Sequence, residues 1–196
     1  MWAPDYLTLP DGKAYLRVPD ADTIDDEWIA ALITGASRAI DRRCRRQFGT
    51  APGIRVYEGA DAVPDLIHPG WWLLATDDMR ADTAATVSVD GVALAAAGYV
   101  RLPRNAPADK RPFTGVRLAS KPGGDVEITT GFGWEQVPEQ VGVACRLQLA
   151  RWHVRRESPF GVAGSPSDGS ETRLLARLDP DVATSLVGLS RTQAPR

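Results

Sequence analysis

Apolar positions at Leu9, Tyr15, Leu16 and Val18, behind a Thr8 and Asp11 pair that can close a capping box, predict a short helix over residues 8–18. The polar break Pro19-Asp20-Ala21-Asp22 leads to a second capping signal, Thr23 with Asp26. Ile29, Ile33, Ala36, Ile40 and Cys44 then recur at helical spacing, which buries one face of a helix about 36 Å long at 1.5 Å per residue. Acidic residues in its first turn and arginines in its last suit the helix macrodipole, and Gly49 is expected to stop it.

From residue 50 to about residue 130 the period shortens to β-prone runs at 54–57, 71–74, 85–89, 99–102, 116–118 and 126–130. Pro52-Gly53, Pro64, Pro69-Gly70, Pro103, Pro107, Pro112 and Pro122-Gly123-Gly124 punctuate them. Asp90-Gly91, between Val87-Ser88-Val89 and Val92-Ala93-Leu94, predicts a hairpin, because a type I′ turn needs positive φ at both central positions. Helical spacing returns at Val137-Pro138-Glu139-Gln140, with proline early where its missing amide costs least, and runs to about residue 157. Residues 158–169 read as a glycine, serine and proline-rich loop, and residues 171–178 as a brief helical stretch. Asp179-Pro180-Asp181 reads as the N-cap and first turn of a helix over 182–189, and the tail from residue 191 is expected to fray.

The helix predicted over 138–157 has two apolar sides, Val141, Cys145, Gln148 and Trp152 on one and Val143, Leu147, Ala150 and Val154 on the other. Such a helix is either central in its own subunit or covered on one side by a neighbour.

Composition narrows the function classes. With 43% hydrophobic residues among 196 the chain can bury a core, and a formal charge of -2 excludes a surface that is basic all over, so any nucleic-acid contact must be local. Arginine supplies nearly all the positive charge, since lysine stands only at positions 13, 110 and 121. Arg38, Arg42, Arg45 and Arg46 fall roughly opposite the buried stripe of the long helix and make a candidate contact for DNA or for an acidic protein rim. The plainer reading of these four is a solvated helix end favoured by the macrodipole.

Cys44 and Cys145 are far apart and lack zinc spacing, which predicts reduced, buried thiols without a bridge. The aspartates Asp20, Asp22, Asp25 and Asp26 suggest calcium at first sight. Ile24, however, stands where an EF-hand needs an oxygen ligand and no loop glycine follows, so helix capping explains them. His68 and His153 are not near a nucleophile motif, and the Gly161 to Gly169 stretch has no lysine and no strand-to-helix setting for a phosphate loop. A mobile docking loop bearing Phe160, Gly161, Gly164, Ser165 and Gly169 is the expectation there. Trp71-Trp72, followed by Leu73-Leu74, reads as strand core more than as an exposed binding pair. No run has the pattern of a signal peptide or approaches the roughly 20 apolar residues of a membrane span, so no membrane contact is expected.

Four segments in order, LTLPDGKAYLRV, DTIDDEWIAALITGASRAIDRRCRRQFG, VEITTGFGWEQVPEQVGVACRLQLARWHVRR and FGVAGSPSDGSETRLLARLDPDVA, resemble the phage head-tail connector family, the head-to-tail adaptors of long-tailed bacteriophages. The resemblance covers roughly residues 7–49 and 126–183 and leaves the middle, about 50–120, poorly matched to the minimal all-helical members. It implies a helical-bundle core; with the β-prone middle read from the periodicity, the expectation is an α+β protein in which a small helical bundle is built from both chain ends and carries an inserted β-rich subdomain. The expected divisions are 1–49 and 135–190 for the bundle helices, 50–134 for the insertion and 191–196 for the tail. It also implies a ring of about twelve copies in the virion neck. Portal protein on one side, the next neck or tail protein on the other, and non-specific contact with channel DNA follow as partners, after assembly in the host cytoplasm. Under this reading Val143, Leu147 and Val154 form a subunit interface. Neither enzymatic activity nor a cofactor or metal is expected. The rivals are a nucleic-acid-binding component of DNA packaging and a hydrolase, for which no convergent acid, base and nucleophile is found.

Overall fold

The Thr8 hydroxyl accepts the Asp11 amide at 3.3 Å and donates to the Asp11 carboxylate at 2.6 Å, so the expected box starts helix α1, Leu9–Leu16. The computed structural model describes residues 3–156, 162–163, 172–173 and 180–191. Its contacts cluster into two units, one centred on Gln47–Gln136 and one that joins Pro4–Arg46 to Val137–Arg191.

In the second of these units, α1 closes where Arg17 turns left-handed at φ 61°. Helix α2, Asp26–Cys44, buries the expected stripe Ile29, Ile33, Ala36, Ile40 and Cys44. Its boundaries differ from the sequence reading. The N-cap is Asp25, and Thr23 contributes only its carbonyl to the Asp26 amide. Arg45, left-handed at φ 53°, ends the helix in place of Gly49. Helix α3, Glu139–Arg155, buries Val141, Ala144, Cys145, Gln148 and Leu149. Gly12 lets α1 approach both partners, since a Cβ there would lie 2.8 Å from Ile33 Cδ1 and 3.3 Å from Leu149 Cδ2. Val162–Ala163 (β9) pairs antiparallel with Thr172–Arg173 (β10), so at these last two residues the expected helical stretch is strand. Helix α4, Pro180–Ser185, follows, and Val182, Leu186 and Leu189 are buried.

The other unit is one eight-stranded antiparallel sheet. Its strands are β1 (Thr50–Tyr57), β2 (Val63–Pro64), β3 (Trp72–Met79), β4 (Thr86–Val89), β5 (Val92–Ala93), β6 (Tyr99–Leu102), β7 (Phe113–Leu118) and β8 (Val126–Gly133). The order is β5-β4-β8-β3-β7-β6, with β1 on β8 and β2 on β3. The sheet curls around a core that includes Leu74, Met79, Val87, Val116, Ile128 and Phe132. Asp90 at φ 50° and Gly91 at φ 77° form the β4–β5 turn with both signs positive, as the dipeptide predicts.

The fold class expected from the sequence is overturned. A curled antiparallel β half-barrel with a few helices, mixed α+β, replaces the small helical bundle with a β-rich insertion. β1, β3, β7 and β8 are longer than the apolar runs that mark them. Pro52-Gly53, read as a break, lies within β1, which pairs only with β8 from Thr50↔Gly133 to Tyr57↔Val126, and an edge strand tolerates a missing amide. β3 continues through Asp77 and Asp78, and β8 continues through Gly131 and Gly133, where no apolar pattern announces a strand.

Candidate functional site

The four arginines of the candidate DNA or portal contact occupy different settings. Arg38 lies half-buried, paired with Asp41 at 2.8 Å, donating to the Pro4 carbonyl and lying 5.8 Å from the centre of the Tyr6 ring. Asp41 also accepts the Tyr6 hydroxyl; burial lifts its carboxyl above the usual range, against the pull of Tyr6 and Arg38. Arg42 and Arg45 are exposed, and Arg46 is half-buried with its amide bonded to the Asp41 carbonyl. Arg38 thus ties α2 to the N-terminal segment, while Arg42 and Arg45 face solvent.

On α3, Val143 and Val154 are 46% and 53% exposed and Leu147 and Ala150 are half-buried. Their opposite side, Val141, Cys145, Gln148 and Leu149, is buried within the unit. The candidate docking-loop residues Phe160, Gly161, Gly164, Ser165 and Gly169 lie outside the described residues.

The other chemistry-bearing residues are accounted for individually. Cys44 and Cys145 are free and buried; Cys145 Sγ is 3.7 Å from Ser37 Oγ, and burial pushes its thiol up to about 11 and that of Cys44 upward as well. Asp22 accepts the Ile24 amide at 3.2 Å, Asp25 pairs with Arg156 at 2.6 Å and Asp26 with Lys13 at 2.7 Å. Among the described residues neither histidine is hydrogen-bonded to a serine or cysteine, and His68 Nδ1 lies 3.0 Å from Asp65. Trp72 opens β3 half-buried, with Lys121 Nζ 5.3 Å from its ring centre.

Two arrangements escaped the sequence reading. Lys13 is almost fully buried and gives its ammonium to the Asp20 carbonyl at 3.0 Å, the Asp22 carbonyl at 2.6 Å and Asp26. Its one signal was a solitary lysine ahead of an aspartate run. Asp65, also buried, accepts the amides of Ile67 and His68 at 2.9 and 3.2 Å and pairs with Arg117 at 2.7 Å. Desolvation works to raise its carboxyl, but these amides and Arg117 hold it below the usual range. The loop so pinned presents Leu66 and Ile67 to solvent, 94% and 82% exposed. An aspartate three residues before histidine, next to Pro69-Gly70, was the available turn signal.

No protein-family model and no curated protein matches the chain. Among solved structures, a chain from the neck of an empty GTA particle, computed with C6 symmetry, matches with a TM-score of 0.53 at 19% sequence identity. The match covers 100% of this chain and 95% of the other. Over its whole length, therefore, this chain shares the fold of a protein from the neck of a phage-like gene transfer agent particle.

Proposed function

We propose that the chain is a structural head-to-tail adaptor, a head-completion protein that forms a neck ring between portal and tail and extends the DNA channel, and that it is not an enzyme. The observation that carries this reading is the end-to-end likeness in fold to a chain from a particle neck. A ring of about twelve copies suits a neck with six-fold symmetry, because twelve subunits close under that operator. Its partners would be portal protein and the next neck or tail protein, with Arg42 and Arg45 available to channel DNA or an acidic rim.

The test is removal of the chain from an assembling particle. DNA-filled heads that lack tails should accumulate, and purified protein added back should restore joining. Tails attached normally without the chain would refute the reading. A DNA-packaging component would instead leave heads empty and would bind DNA with an affinity that falls steeply with salt.

A further inference from the structure

We infer that neighbouring copies join by continuing one β-sheet, the outer edge of β1 in each copy pairing in parallel with the outer edge of β6 in the next. The inference rests on the ring reading above and names the contact that makes the ring.

β1 pairs only with β8, and β6 only with β7. The Trp134 amide donates to the Gly49 carbonyl at 3.0 Å, in step with the Thr50↔Gly133 register. The odd residues of β1 therefore bond to β8, and Pro52, Ile54 and Val56 turn their backbone groups outward. By the same reasoning the Ala119 amide on the Gly98 carbonyl, at 2.9 Å, commits the even residues of β6 to β7 and turns Tyr99 and Arg101 outward. Ile54 and Val56 are 64% and 56% exposed, and an open apolar edge strand is a template for another strand.

Strand direction and side-chain face choose the same geometry. The edges are separated by the antiparallel steps β1 to β8, β8 to β3, β3 to β7 and β7 to β6, so β1 and β6 run the same way. A sheet continued by rotation from copy to copy then brings them together in parallel. The outward-turned residues of β1 carry exposed side chains, whereas those of β6 carry theirs on the core side, Tyr99 against the core and Arg101 4.2 Å from the centre of the Phe113 ring. A parallel ladder needs this alternation, because each outward residue bonds to the two that flank its neighbour. An antiparallel one would set Ile54 opposite a side chain on the other face. With Ile54 beside Val100 and Val56 beside Leu102, the amides of Ile54 and Val56 reach the carbonyls of Tyr99 and Arg101. The amides of Tyr99 and Arg101 reach the carbonyls of Pro52 and Ile54. Pro52 and Pro103, which have no amide, stand at the ends of the ladder.

Charge agrees with this direction. Exposed Glu58 follows β1, Gly59 lies against Gly124, and the Asp90 amide donates to the Asp125 carbonyl at 3.0 Å, which gathers the exposed carboxylates of Glu58, Asp125 and Asp90 at that end. Beyond the matching end of β6 stand exposed Arg104, Lys110 and Arg111, with Asp109 the one carboxylate among residues 103–112. Among the described residues none of these three cations and none of Glu58, Asp125 and Asp90 is in an ion pair. The parallel contact brings the opposite charges to one end, whereas an antiparallel one would leave the carboxylates beside Ala96 and Ala97. Because the two edges differ, the contact is heterologous, the kind that closes into rings.

The double variant Ile54→Cys with Val100→Cys, assembled into particles and treated with a short thiol-to-thiol cross-linker, tests the register, since paired strands lie about 4.8 Å apart. Denatured necks should give a ladder of covalent multimers, and neither single variant should, because Cys44 and Cys145 are buried. Val56→Pro removes an amide that only the neighbour uses, so the chain should keep the wild-type circular-dichroism spectrum while the copies incorporated fall about ten-fold. Glu58→Arg should lower incorporation about ten-fold as well, and adding Arg104→Glu should restore it. Incorporated double-cysteine chains that give no ladder, or Val56→Pro chains incorporated at the wild-type number, would overturn this contact and leave the ring reading intact. Wild-type chain absent from the particles would overturn the ring reading and this contact with it.

Discussion

Replacing Lys13 with methionine keeps the apolar stem and removes a charge that the fold has enclosed. The Lys13 side chain is 4% exposed and that of Asp26 is 26% exposed, so the pair is buried on one side only. Breaking a fully buried pair costs about 3–5 kcal/mol, because the remaining charge is left without a partner or water. Here water can reach part of the Asp26 carboxylate, as well as the carbonyls of Asp20 and Asp22, whose residues are exposed. That lowers the expected cost to about 2–3 kcal/mol. Asp26→Asn should cost a similar amount by stranding the buried ammonium. The double variant should lose about 1–2 kcal/mol less than the sum of the two, since neither charge is then left alone. Urea unfolding followed by the helical circular-dichroism band, with hydrogen exchange of α1 and α2 amides, gives all three values. A Lys13→Met cost below about 1 kcal/mol, or additive single costs, would refute the reasoning.

Gly133 has φ 105° and a Cβ there would overlap the Gly49 carbonyl oxygen, whereas Gly91 has φ 77° with open space around it. Gly133→Ala should therefore destabilise by about 3 kcal/mol or more and Gly91→Ala by about 1 kcal/mol in urea unfolding, and equal costs would show that crowding at Gly133 is unimportant. Burial raises the Asp41 carboxyl above 3.8, so its contribution to stability is complete below that pH and is lost as pH rises through the raised value. Asn at position 41 can still accept from Tyr6 but does not titrate. The stability of wild type minus that of Asp41→Asn should thus fall as pH rises above the ordinary carboxylate range, and a gap that is flat or widens would contradict the assignment.

The sequence by itself determined what depends on neighbours within about four residues. The Thr8 and Asp11 cap, the buried stripe from Ile29 to Cys44, the two sides of α3 and the Asp90-Gly91 turn were legible because helix period, capping and turn sign are local. Whether the side of α3 that carries Val143 and Val154 faces outward was left open by its periodicity, and only the structure shows both exposed.

Tertiary structure decided the rest. Pro52 can sit in a strand because β1 lies at an edge of the sheet. Asp78 can be buried in β3 because the indole of Trp134, 56 residues away, donates to it at 3.0 Å. Gly133 ends β8 as a glycine because the chain at Gly49 returns against it. Arg38 and Arg42 look alike on a helical wheel, yet Pro4, Tyr6 and Asp41 hold only Arg38. Sheet edges, partners for buried charge and room for a Cβ are set by segments tens of residues apart, and no periodicity along one segment carries the position of another.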